Sequence, residues 1–124
     1  MSEGREYISR TEENGDIYIS EDVLAMIAGA AALEIEGVTG LSGGNFGEQL
    51  LGKKSYTRGV MIQRDEDSLV VNISLMIQYG YAVPELARKV QEAVASSVED
   101  TSGISVTAVN IRVGGITFDK SSKQ

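Results

Sequence analysis

Between residues 68 and 79 the chain alternates with a period of two. Leu69, Val71, Ile73, Leu75, Ile77 and Tyr79 fall on one side of an extended backbone, and Asn72, Ser74, Met76 and Gln78 fall on the other. A helix would scatter these apolar residues around its circumference, so the stretch must be a strand with one face in a core and one face left polar. A slip of one residue would carry the whole apolar set into water, which fixes the register. The strand is the second arm of a hairpin: residues 59–64 supply the first, and Asp65-Glu66-Asp67 makes a solvated acidic turn.

The apolar face needs a cover, and two segments have helical spacing. Ser20 stands as an N-cap before Glu21 and Asp22. Val23, Leu24, Ile27, Ala28, Ala31 and Ile35 then recur at three and four, with Gly37 as the expected left-handed stop. Ala25, Gly29, Ala30 and Ala32 give this helix a surface of almost no side-chain volume. Mid-helix glycine costs about 1 kcal/mol relative to alanine, so a sheet or a second helix should approach that surface closely. The second helix opens at Pro84, where a missing N–H costs nothing, beside Glu85. Val83, Ala87, Val90, Val94 and Val98 form its stripe with Leu86 and Ala93 alongside. Arg88, Lys89, Gln91, Glu92 and Glu99 lie opposite, and Gly103 ends it.

Further strands are expected at residues 16–19, 38–41 and 106–113, with Gly114-Gly115 as a bulge before Ile116-Thr117-Phe118. The order predicts an α+β fold in which two helices pack on one face of a small mixed β-sheet. The chain has 124 residues, which suits one domain. Residues 1–15 read as a polar flexible tail, 16–119 as the single α+β domain, and 120–124 as a second flexible tail.

Several chemistries are closed to this chain. It contains no cysteine and no histidine, which removes disulfides, thiolates, the usual zinc ligands and His-based nucleophile pairs. We therefore expect no enzyme, no catalytic residues, no metal and no cofactor. The net charge of −7 opposes nucleic acid and anionic lipid. The first residues lack the apolar run of a signal peptide, and no continuous apolar stretch reaches the ~18 residues of a spanning helix. The expected location is cytoplasmic, with any recruitment to a membrane running through a partner.

Some motifs invite sharper readings. Gly47 to Lys53 matches the spacing G-x-x-x-x-G-K of a phosphate-binding loop, but Lys54 follows where a Ser or Thr should hold magnesium, and no long parallel strand precedes it. Coincidence is the better account. Glu34 and Glu36, two apart, do not face each other as an acid–base pair would, and the acidic turn at Asp65 lacks the spaced oxygens of a calcium loop. Tyr79 and Tyr81 flank Gly80 as a partner surface or the rim of the core. The candidate partner-binding residues are Asn72, Ser74, Met76, Asn110 and Arg112 on the polar sheet face, or the glycine-rich connector carrying Asn45, Phe46, Lys53, Lys54 and Arg58. An RNA-binding module is the rival reading, because helices on one side of a sheet with a glycine-containing loop recur there. The acidic charge and a face without aromatic residues stand against it.

Ile19-Ser20-Glu21-Asp22-Val23, Ala31-Ala32-Leu33-Glu34-Ile35-Glu36-Gly37-Val38, Gly59-Val60, Tyr79-Gly80, the helix from Pro84 and Val109-Asn110-Ile111-Arg112-Val113-Gly114-Gly115-Ile116 together resemble the alkaline-shock and glucose-starvation-inducible protein family. Asn45-Phe46-Gly47 and Ile116-Thr117-Phe118-Asp119 look most like the branch encoded beside acetyl-CoA carboxylase genes. The resemblance spans residues 16–119 and carries no catalytic motif. It implies a non-enzymatic, stress-related adaptor or regulator of bacterial cell-envelope homeostasis or lipid synthesis. The partners it implies are paralogues, a small membrane-anchor protein or acetyl-CoA carboxylase subunits, together with self-association into a homo-oligomer.

Overall fold

The computed structural model describes residues 7–42 and 59–118, which hold strands β1 (Tyr7–Glu12) and β2 (Gly15–Ser20), helix α1 (Glu21–Leu33), strands β3 (Val38–Leu41), β4 (Val60–Asp65) and β5 (Ser68–Gln78), helix α2 (Val83–Ser102) and strand β6 (Val106–Thr117). The alternating segment is β5, and it is the centre of the main sheet. Parallel β6 lies along one of its edges, pairing Val71 with Val109, Ile73 with Ile111 and Leu75 with Val113. Two antiparallel strands share the other edge end to end: β4 pairs with the first half of β5 and β3 with the second. Ser74 closes the seam, its carbonyl accepting from Ser42 N–H at 2.9 Å and its N–H donating to the Gly59 carbonyl at 2.8 Å. Gly59, at φ +79°, has no alternative here, because a Cβ would collide with the Ser42 carbonyl oxygen.

The odd-numbered face of β5 is the core, with Leu69, Val71, Ile73, Leu75 and Ile77 each at most 2% exposed. Both helices lie on that face and pack on one another, α1 also against β3 and β4, and α2 against β6. This is the expected α+β arrangement of two helices on one face of a mixed sheet. Ala25, Ala28, Gly29 and Ala32 are buried, so the small-residue surface of α1 receives the close neighbour it requires. Ala30 departs from it and faces solvent. From α2 come Leu86, Val90, Val94 and Val98, and Ser102 is the one buried polar side chain among the described residues. Its hydroxyl donates to Val98 O at 2.8 Å and accepts from Ile104 N–H at 3.0 Å, which removes the cost of burying it. Ser20 caps α1 by accepting from Asp22 N–H, Pro84 sits in the first turn of α2, and Gly103 ends it at φ +73°, all as expected. The bulge falls where the glycines predict it, the register slipping between Val113 and Gly115.

Four expectations need correction. Residues 7–12, read as part of a polar tail, form β1 and pair with β2 in a separate two-stranded antiparallel sheet. Ile8 anchors that hairpin in the core at 3% exposure, and Arg10 Nη1 donates to the Gly103 carbonyl at 2.7 Å. Gly37 is not the helix stop: α1 ends at Leu33 with Glu34 still right-handed, and Gly37, at φ +103°, shapes the turn into β3. Tyr79, placed with the buried set, lies just past the end of β5 and is 66% exposed. Val83, placed in the apolar stripe of α2, is 41% exposed, because the stripe buries residues only from Leu86 onward.

Candidate functional site

Pairing in register places Met61 and Gln63 of β4, Asn72, Ser74 and Met76 of β5, and Asn110 and Arg112 of β6 on the side of the sheet away from the helices. Asn72 is the hub. Its Nδ2 donates to Gln63 Oε1 at 2.9 Å, and its Oδ1 accepts from Asn110 Nδ2 at 2.9 Å, so neutral amides link three strands in one ladder. Each bond contributes only about 0.5–1.5 kcal/mol net, less in water, yet the chain of bonds fixes amide orientations that would otherwise rotate freely.

The five sheet-face candidates therefore do share one face. Its two halves differ. Toward β3 the flanking strands lean over β5: the Thr39 and Thr117 hydroxyls share a hydrogen bond at 2.9 Å, and a Cβ on Gly114 would meet Ser42 Oγ at 2.5 Å. Ser74 lies between them and is half-buried, and the Met76 side chain runs alongside Gly115, within 3.4 Å of where a Cβ would be. Toward β4 the amide ladder stays accessible, with Met61 56% exposed. Arg112 forms no ion pair among the described residues. Asn45, Phe46, Lys53, Lys54 and Arg58, and the phosphate-loop look-alike at Gly47, lie outside the described residues.

A second surface carries the aromatic residues. Tyr79 and Phe118 stack with centroids 5.1 Å apart, and Ile116, Tyr81 and Val83 are exposed as well. Phe118 carried no signal of its own, because its packing depends on β6 running beyond the bulge to Thr117 and bringing it beside Tyr79. Tyr81 lies flat against Gly37, where a Cβ would come within 2.9 Å of its ring, and its hydroxyl donates to Glu36 Oε2 at 3.2 Å. Desolvation first, then the hydrogen bond and the negative charge of Glu36, push the phenol above its ordinary value. Glu36 is thus engaged by Tyr81 rather than paired with Glu34. The acidic turn at Asp65 is a hairpin turn, with Glu66 left-handed at φ +58° and its carbonyl accepting from Arg64 Nε at 2.7 Å. No cluster among the described residues could hold a metal ion.

Fold and face together define a two-layer α+β domain with an ordered, polar sheet surface and an aromatic rim. The chain belongs to the alkaline shock protein 23 family, described by a cell envelope-related function, whose model matches residues 9–118. It is 38% identical to an uncharacterized protein, Spy1535, of Streptococcus pyogenes over 91% of this chain and 88% of that one. It is 33% identical to the uncharacterized protein YloU of Bacillus subtilis, over 82% of this chain and 88% of the relative. A stress response regulator gls24 homolog of Streptococcus pyogenes is 23% identical over 86% of this chain and 65% of its own length. No solved structure matches. The family description points to the cell envelope and the relative's name to stress response, and neither is that of an enzyme. No helix among the described residues is long and apolar enough to cross a membrane.

Proposed function

We propose that the chain is a non-enzymatic adaptor in cell-envelope stress that binds another protein through the polar sheet face. The amide ladder Gln63–Asn72–Asn110 is the observation that carries this reading. It presents donors and acceptors already held in place, flanked by Met61 and Met76, whose flexible thioethers adapt to a partner surface. Among the described residues this face bears one cation, Arg112, and no aromatic side chain, a poor platform for stacking bases or neutralising phosphates. That weighs against the RNA-binding alternative. A paralogue, a small membrane-anchor protein or an acetyl-CoA carboxylase subunit is the partner this reading assigns, with recruitment to the membrane running through that partner.

The test is a crosslinking capture from cells with the tagged chain and with an Asn72→Asp/Met61→Glu variant. Both substitutions stand on the face and leave the buried side of β4 and β5 alone. Envelope or carboxylase proteins retained by the parent and lost by a variant with unchanged circular dichroism are expected. Equal retention by both chains would overturn the assignment of the face.

A further inference from the structure

The two helices lie on the same sheet and differ on the side they turn away from it. On α2 that side carries Arg88, Lys89, Glu92 and Asp100, all exposed, as a surface helix should. On α1 the residues away from the buried set of Leu24, Ala25, Ala28, Gly29 and Ala32 are Val23, Met26, Ile27, Ala30 and Leu33. Val23 is 43% exposed, Ala30 is exposed, and Met26, Ile27 and Leu33 are half-buried. Between Asp22 and Glu34, about 18 Å of helix, there is no polar side chain. A helix apolar on every side is ordinarily enclosed by protein, yet this one is enclosed on one side only. Its two ends are acidic and unequal. Asp22 stands at the N-terminal end, where the helix dipole favours a negative charge. At the C-terminal end the dipole is itself negative, Glu34 adds to it, and the last turn holds no basic residue. Glu34 forms no ion pair among the described residues.

We propose that the outer side of α1 docks an amphipathic helix of another protein, one with an apolar stripe of about three turns and a lysine or arginine at the end that lies over Glu34. Shape supports a helix. Ala30 has Met26 and Ile27 one turn before it and Leu33 one turn after, so its small side chain leaves a notch among three larger ones. A leucine or isoleucine of a facing helix fits such a notch as a ridge enters a groove. Charge selects the partner. A cation over Glu34 meets the carboxylate and the negative end of the helix together, and the apolar approach keeps water from screening them. A second copy of the chain would set acid against acid at both ends of α1, whether the two helices ran parallel or antiparallel. The net charge of −7 opposes an anionic bilayer in the same way.

This assignment goes beyond the sheet face, and its failure leaves that reading standing. The test is a selection of phage-displayed random peptides, each long enough for four helical turns, on the purified chain. The expected winners carry apolar residues at three and four with lysine or arginine at one end. Ala30→Gln and Glu34→Lys both stand at exposed positions, so circular dichroism should match the parent. In fluorescence anisotropy the winning peptides should bind Ala30→Gln about tenfold more weakly than the parent, and Asn72→Asp/Met61→Glu equally well. Repeating the selection on Glu34→Lys should return aspartate or glutamate at the end where the parent chose a base. Winners without a stripe, winners that bind Ala30→Gln as tightly as the parent, or an unchanged basic end against Glu34→Lys would overturn the proposal. So would a parent dimer that Ala30→Gln dissolves in sedimentation, which makes a second copy the occupant, or flotation with phosphatidylglycerol vesicles that Ala30→Gln abolishes, which makes it lipid.

Discussion

The two faces of β5 are built from the same eleven residues and do different things. On one, Leu69, Val71, Ile73, Leu75 and Ile77 are sealed under α1 and α2; on the other, Asn72 holds a single line of amides in contact with water. Free energy of folding is concentrated on the first, because apolar area removed from water is worth roughly 25 cal/mol per Å². The second contributes little to folding and so is free to be shaped by binding. The sharpest way to break this contrast is to truncate one residue on each side. Leu75→Ala should cost about 2–5 kcal/mol in denaturant unfolding, the range for a fully enclosed leucine. Asn72→Ala, three residues away on the other side, should stay within about 1 kcal/mol while disconnecting Gln63 from Asn110. Comparable losses at the two positions would show that the polar face is a structural element.

A milder effect is expected where the β1–β2 hairpin joins the core. Its tie is the Arg10 guanidinium, which lies on Gly103 and donates to the carbonyl there, where the C-terminal end of α2 carries partial negative charge. Arg10 also bonds Glu12 at 2.5 Å, and both side chains are about two-fifths exposed, so water weakens the pair. Arg10→Ala should lower global stability by about 1 kcal/mol and speed amide exchange selectively in β1 and β2, with β5 unchanged. Uniform acceleration across both sheets would mean that the hairpin and the main sheet unfold as one unit.

These two regions also mark how far the sequence can be read. The core face of β5 was legible because five apolar residues alternate without interruption, and α2 because its apolar stripe recurs at three and four from Leu86 to Val98. The hairpin was not: Ile8 is the only apolar residue between Tyr7 and Ile17, and β1 is secured by the burial of that one side chain together with a long-range bond from Arg10 to a backbone atom 93 residues away. Local pattern contains no trace of such a contact. The polar face was legible as a set, since alternation places Asn72, Ser74 and Met76 together. That Ser74 is flanked by Ser42 and Gly114, while Asn72 joins Gln63 to Asn110, depends on which strands flank β5 and how they lean. Gly37 misled for a related reason: a glycine after a helical run suggests a cap, but its positive φ serves the turn into β3 and the approach of Tyr81.

The smallest effect is expected at the rim where the faces meet, and only in alkali. Tyr81 has a phenol raised above 10.0 by desolvation and by Glu36. A raised acid favours the protonated form of the folded chain, so its contribution is complete below the unfolded value. It is lost as pH climbs through the folded one, because the unfolded chain releases its proton first. Stability should therefore decline above about pH 10, with a component absent in Tyr81→Phe. Glu36→Gln should reduce the same component by removing the neighbouring charge while the ring stays against Gly37. If Tyr81→Phe and the parent chain fall in parallel through the alkaline range, the hydroxyl is effectively in water. The bond to Glu36 would then order the turn without coupling it to protonation.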